Sequence, residues 1–276
     1  MLNARLAALI LLGAVSARAI GQDGPIELFD AHGAFPGAAQ LEEPAADATH
    51  RLRVAIGGGF AVAPKFPGND GYRAHLVPAV HLAYGPVFFG VGGLGVNLHR
   101  DSRWRFGVHL APSRGRKASD DPRVQGLGDV GSTLRAGLFG AYADRGVLVR
   151  ANLSTDIGGE KQGTLARLDV FGRFRAGERL GFFAGPGLTW SDQRYMQRFF
   201  GVSAEQSARS GLPQFDAKAG VSSLRLSAGA LYRLDRRWRL VTSYSIARLE
   251  GDAGASPITE TRTQQHFFVS ATYLLR

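Results

Sequence analysis

The segment VLVRANLSTDI alternates with period two. Val147, Val149, Ala151, Leu153, Thr155 and Ile157 fall on one side of an extended chain, and Arg150, Asn152, Ser154 and Asp156 fall on the other. One face is apolar and the other is wet. The split recurs in LARLDVFGRF, where Ala166, Leu168 and Val170 oppose Arg167, Asp169 and Arg173, and in LRLSAGALYRL, where Leu224, Leu226, Ala228, Ala230 and Tyr232 oppose Arg225, Ser227 and Arg233. In WRLVTSYSI, Trp238, Leu240, Thr242, Tyr244 and Ile246 oppose Arg239, Ser243 and Ser245. Such runs, joined by short DRG, GER and DRR turns, suit either a water-soluble antiparallel barrel or sandwich, or a transmembrane barrel.

Three features favour the membrane. The runs reach about ten residues or more, the length a tilted strand needs to cross a bilayer. Their apolar faces freely mix Gly and Ala with larger residues, which lipid contact tolerates better than a tightly packed core. Trp104, Tyr142, Trp190, Tyr232 and Trp238 stand near strand ends, where an interfacial girdle belongs. After residue 19 no stretch approaches the roughly 20 apolar residues of a membrane helix.

The N-terminal residues MLNARLAALILLGAVSARA place Arg5 before an apolar run and end in Ala17-Arg18-Ala19, which predicts a cleavable signal peptide over 1–19. Removing it takes two arginines and lowers the formal net charge from +10 to +8. Export argues against nucleic acid as the partner of that basic excess and favours anionic lipopolysaccharide, outer-membrane lipid or charged solutes. Cys is absent, so the exported chain holds together without disulfides. Residues 20–50 carry six acids and no Lys or Arg, and read as a flexible acidic periplasmic tail.

From Arg51 to the end the pattern predicts an all-β, transmembrane antiparallel β-barrel over 51–276. Strands are expected near 51–61, 74–84, 87–98, 103–113, 128–142, 145–157, 164–176, 179–191, 224–234, 237–249 and 263–275. Bacterial single-chain barrels have even strand numbers, so the expectation is about 12. Either 87–98 is a tight hairpin at Gly92-Gly93, or a strand precedes Arg51. Counting back from a last strand that ends in the periplasm puts the short turns on that side. The long connections 114–127, 158–163, 192–223 and 250–262 then become outer loops.

The chain resembles the MipA/OmpV family of outer-membrane proteins over nearly all of residues 54–276. The carriers are GGGFAVAPKFPGNDGYRAHLVPAV, a GR followed by GLGDV within 115–130, GPGLTWSDQRYMQRFFGVSAEQSARSGLPQF, and GDAGASPIT at 251–259. It departs from the family pattern at Phe66 and Phe199, where the family favours Tyr, and at its end, where Leu275-Arg276 replace a terminal aromatic. The resemblance implies an outer-membrane barrel that serves as scaffold or adaptor for peptidoglycan-remodelling enzymes, with a lytic transglycosylase and a bifunctional penicillin-binding protein as partners. Other members of the family look like porins or adhesins.

Signals of catalysis are weak. The seven His residues form no H-E-x-x-H motif, there is no G-x-S-x-G elbow, and IGGGFAVAP lacks the Lys-Ser/Thr ending of a phosphate loop. The reading is therefore not an enzyme, with no cofactor and no metal site. The informative constellation is the wet face. Arg135, Arg150, Arg167, Asp169, Arg173, Arg225, Arg233 and Arg239 are expected to line the lumen, since Arg toward lipid at the midplane costs about 2–4 kcal/mol. They either pair into a solvated filling or bias a water path toward anions, as in a small-solute porin with anion preference. In the long outer loop, Tyr195, Met196, Phe199 and Phe200 are expected to fold onto the barrel, inward as a constriction or across the rim. Within Gln197–Ala208 a helical turn is expected, stopped by Ser210-Gly211-Leu212-Pro213.

Overall fold

The computed structural model describes residues 52–144 and 146–275, so the expected signal peptide (1–19) and acidic tail (20–50) lie outside the described residues. The strands are β1 (Arg53–Pro64), β2 (Tyr72–Tyr84), β3 (Val87–Gly90), β4 (Gly93–Arg100), β5 (Trp104–Ser113), β6 (Thr133–Ala143), β7 (Val147–Asp156), β8 (Thr164–Ala176), β9 (Leu180–Ser191), β10 (Gly220–Arg233), β11 (Trp238–Leu249) and β12 (Thr263–Leu274). Each pairs antiparallel with its neighbours in sequence, and β12 pairs with β1 to close a 12-stranded barrel. Closure at β1 uses Gly57 and Gly59, where a Cβ would strike the β12 backbone at Ala271 O and Val269 O. The two strands therefore approach closely there.

The alternation is inside-out relative to a soluble protein. On β11, Trp238, Leu240, Tyr244 and Ile246 are exposed while Ser243 and Ser245 are buried, and on β10 Leu224 and Leu226 are exposed while Arg225 and Ser227 are buried. An apolar outer band over a polar interior suits lipid outside and polar filling inside. Aromatics pair at the short-turn end, Trp104 on Tyr142 at 4.7 Å and Trp238 on Tyr273 at 5.1 Å between ring centroids.

The region 87–98 is two strands, β3 and β4, turning at Val91-Gly92, so the twelfth strand comes from this hairpin and needs no strand before Arg51. The segment expected from residue 128 pairs only from Thr133, because Val130 instead bridges Arg116 in the preceding loop. Conversely β10 begins at Gly220, before the expected Leu224, through a register shift between Val221 and Ser223.

Short turns join β2 to β3, β4 to β5, β6 to β7, β8 to β9 and β10 to β11 at one end, the periplasmic end in barrels of this class. Connections 65–71, 114–132, 157–163, 192–219 and 250–262 gather at the other.

Candidate functional site

The lumen has two differently built halves, and the loop end comes first. The connection 192–219 holds two helices, α1 (Gln193–Phe200) and α2 (Ala204–Ser210), where the sequence reading expected a helical turn within Gln197–Ala208. The caps explain the difference. Asp192 accepts a hydrogen bond from Tyr195 N at 2.8 Å to start α1, and Ser203 forms a reciprocal capping box with Gln206 to start α2. Gly211, at φ 74°, ends α2 in the left-handed conformation that favours glycine.

One face of α1 is sunk into the mouth of the barrel. Tyr195, Met196, Phe199 and Phe200 are buried at 0–2% exposure, among Val130, Leu165, Ala217, Leu249 and Ala253. The Tyr195 and Phe199 rings stack at 4.5 Å. A second apolar cluster joins Phe66, Val124, Leu127, Val202 and Ile258, drawing one or more residues from each of four loops. Polar bonds tie the same loops together. Ser256 Oγ donates to Phe200 O at 2.6 Å, Arg116 Nη1 to Phe199 O at 3.1 Å, and Gln206 Nε2 to Leu127 O at 2.6 Å. Burial and the nearby Arg198 cation push the Arg116 guanidinium down to about 10, so it remains charged at neutral pH. The third short helix, α3 (Gly251–Ala255), packs against α1 and β10. These loops form a folded lid.

Below the lid, two arginines are structural pins. Arg225, its side chain 1% exposed, pairs with Asp169, which also accepts from Arg150 at 3.1 Å. Arg135 donates to Ser154 O at 2.9 Å and Gly163 O at 2.8 Å, fastening β7 to the start of β8. Buried guanidinium groups require such acceptors.

At the short-turn end lies a chamber of about 550 Å³. Of the residues singled out in the sequence, Arg150, Arg167, Asp169, Arg173, Arg233 and Arg239 line it, whereas Arg135 and Arg225 do not. Arg53, Arg100, Arg103, Arg105 and Arg237 also line it, and the sequence reading missed them. A signal existed for Arg105, which alternates with Trp104 and Phe106 in WRFGVHL. Arg103 and Arg237 stand in turns, where alternation says nothing. Arg105 lies 4.8 Å from the Phe88 ring centroid and donates to Asn97 Oδ1 at 2.6 Å. Among the described residues, ten arginines thus surround the cavity against one acid, Asp169. A concentration of like charge in a low-dielectric wall draws anions by its summed field.

Two relatives from Escherichia coli (strain K12) match part of the chain. The "Putative outer membrane protein YiaT" is 28% identical over 153 residues, covering 55% of this chain and 61% of its own length. The MltA-interacting protein is 27% identical over 144 residues, 52% of this chain and 57% of its own length. The chain thus spans about 60% of the length of the relatives it matches. Solved structures similar to it include a FadL homologue from Pseudomonas aeruginosa (10% identity, TM-score 0.43, 87% of this chain and 94% of that one). An outer-membrane channel from Pseudomonas putida F1 is 12% identical with a TM-score of 0.43, over 87% and 99%. The profile described as MltA-interacting protein MipA matches residues 56–275, nearly the whole barrel, and the chain belongs to that family.

Proposed function

We propose that this outer-membrane barrel is a scaffold for peptidoglycan-remodelling enzymes. It would engage a lytic transglycosylase and a bifunctional penicillin-binding protein at its periplasmic, short-turn rim, with the preceding segment 20–50 as a further docking element. The observation that carries this reading is the lid. Its apolar core ties four loops over the mouth, which suits a protein whose working surface is the opposite end better than one that passes solutes. One relative is itself named for an interacting protein, which agrees in kind. At the short-turn rim the exposed Arg103, Arg233 and Arg237 offer cations to an acidic partner surface.

The test pairs two measurements on the refolded barrel. Affinity capture from periplasmic and membrane extract is expected to retain both enzyme classes, while planar bilayers are expected to show no steady conductance. Steady conductance without capture would overturn the scaffold in favour of a second reading, a small-solute porin with anion preference. What supports that alternative is the excess of Arg over acid around the chamber among the described residues, ten to one. If a channel forms, Arg167→Glu with Arg173→Glu should move its reversal potential toward cation selectivity. Replacing Tyr195 to Pro213 by a short Gly/Ser linker should raise its conductance.

A further inference from the structure

A bulge in β4 aims an arginine into the chamber. Asn97 and Arg100 are three residues apart, so a regular strand would hold them on opposite faces. The register against β5 shifts between Asn97 and His99, and both side chains line the chamber as a result. The shift also sets Arg100 directly opposite Arg105, and like charges facing each other across a ladder repel. Arg53, at the start of β1, adds its positive charge to the surroundings of both.

Other cations of the barrel have carboxylates to answer them. Arg150 and Arg225 share Asp169, and Arg73 meets Asp120 at 3.0 Å. Among the described residues Arg53, Arg100 and Arg105 make no such ion pair, and the charges that act on Arg100 and Arg105 are those of the trio itself. The Nε–H of Arg100 is buried and has no hydrogen-bond partner among the same residues. Buried donors without acceptors are uncommon in folded proteins and point to something that completes them.

Arg105 is held ready for an acceptor. Its guanidinium lies 4.8 Å from the Phe88 ring centroid and 5.4 Å from that of Phe139, and the two rings meet edge to face at 5.7 Å. Two glycines give the rings their room, since a Cβ on Gly95 would strike Phe88 and one on Gly107 would strike Phe139. Arg105 Nε donates to Asn97 Oδ1 at 2.6 Å, and Asn97 is itself anchored, its backbone N–H and Nδ2 donating to Pro86 O at 2.8 and 3.1 Å. Both Nη groups of Arg105 are thereby left to the chamber, with no acceptor among the described residues. A donor fork fixed in advance binds with little loss of side-chain freedom.

The chamber gives these donors access from one side. Arg53, Arg103, Arg233 and Arg237 line it and are exposed, so it opens at the short-turn end. Toward the loops, Ala61, Val77, Val241 and Phe268 form an apolar belt, which Val91 and Leu231 join, and the Arg225–Asp169 pair fills the sector of β8 to β10. The four belt residues and that pair are at most 7% exposed, which leaves the chamber a blind cup. We propose that Arg53, Arg100 and Arg105 form a binding site for a phosphate group that enters from the periplasm, as inorganic phosphate or a soluble phosphomonoester. Such a group carries nearly two charges and three acceptor oxygens, one for each guanidinium, whereas a carboxylate brings one charge and two oxygens. Its arrival offsets the repulsion between Arg100 and Arg105 and supplies an acceptor to the buried Arg100 Nε–H. The proposal goes beyond the scaffold reading and does not depend on it.

The test uses the full chain refolded in dodecyl maltoside, free of phosphate, and titrated calorimetrically with inorganic phosphate, glycerol 3-phosphate and acetate at one ionic strength. Both phosphates should bind and acetate should not, and whichever phosphate binds tighter identifies the free ion or the monoester as the ligand. Arg105→Lys keeps the charge and loses the fork, and should weaken phosphate about tenfold, the effect of losing a charged hydrogen bond. Arg179→Gln removes an exposed charge that does not line the chamber, and should leave binding unchanged. Arg100→Gln should raise the denaturant midpoint in the absence of phosphate, through lost repulsion, and should abolish the rise that phosphate gives the parent. Heat-modifiable gel mobility reports whether each variant is folded, and the titrations of the unaltered protein stand without them. Acetate binding as tightly as phosphate, or Arg179→Gln matching Arg105→Lys, would overturn the site in favour of a general field. Enzyme capture should be the same with and without phosphate, so failure of one proposal leaves the other standing.

Discussion

At the loop end of the lumen, Tyr195, Met196, Phe199 and Phe200 shut out water among aliphatic neighbours, while at the short-turn end the same strands surround a chamber with arginines. The change can be followed along one strand. Inward from the chamber, β11 presents Arg239, then Val241 in the apolar belt, then Ser243 and Ser245, and finally Leu249 in the lid core. Strand pairing along β11 is indifferent to this sequence of environments, since its ladders to β10 and β12 run unbroken through every level. The barrel wall therefore fixes the shape, and the inward residues at each depth decide what that level can do.

The largest expected effect comes from breaking the boundary between the two halves. Asp169→Asn leaves Arg150 and the buried Arg225 without their shared carboxylate, and should cost about 3–5 kcal/mol. The denaturant midpoint for loss of the heat-modifiable band measures it, and an unchanged midpoint would mean that water or another acceptor compensates. Next comes the lid. Phe200→Ala removes a fully buried ring and should cost about 3 kcal/mol locally, so protease cleavage within 192–219 should accelerate while gel mobility stays that of the folded barrel. Loss of the folded band itself would make the lid part of the wall's stability.

At the chamber rim the balance reverses. Arg103→Gln with Arg233→Gln should shift stability by no more than about 0.5 kcal/mol, because both side chains are exposed. Binding of inorganic polyphosphate should nevertheless weaken severalfold. That difference should shrink in 1 M salt, where the Debye length is about 3 Å. A salt-independent difference would point to a specific contact in place of the summed field.

The smallest effect belongs to the β4–β5 turn. Hydrogen bonds from the backbone of Trp104, then from His99 and the backbone of Arg103, hold the Asp101 carboxyl at about 2, below its ordinary 3.8. A depressed folded value contributes stability at pH above the unfolded value and loses it as pH falls through the folded one. Asp101→Asn should therefore be slightly less stable than the parent at pH 7, and the two should converge as pH falls from 3.8 toward 2. A gap that persists at pH 2 would assign the effect to geometry alone.

Much of the wall was legible because lipid enforces a strict rule on every second residue. Arg150, Arg167 and Arg239 could be placed inside from alternation alone. The Val91-Gly92 turn left a trace as well, because Phe88 and Asn97, nine residues apart, would fall on opposite faces of a straight strand and line the chamber together only when the chain doubles back, as the hairpin alternative at Gly92-Gly93 had it. What alternation could not supply was the roles of Arg135 and Arg225. They alternate like the chamber arginines but lie deeper, against Gly163 O and Asp169, and depth is set by strand stagger that no single segment encodes. In the lid the local signals were present, as Asp192 and Ser203 are ordinary helix starts. Its assembly from four loops was not legible, because the partners of Phe66, Val124 and Ile258 are distant in sequence.

That distance has a consequence for timing. The lid core needs Ile258, its anchor on Phe200 O comes from Ser256, and Gly68 N bonds Gln264 Oε1 on β12, 196 positions away. Contacts so remote wait for the loops between them to close. We therefore expect a folding stage in which α1 still lacks its Ser256 anchor and the mouth stands open, which early protease cleavage within 192–219 that fades as the loop 250–262 docks would reveal.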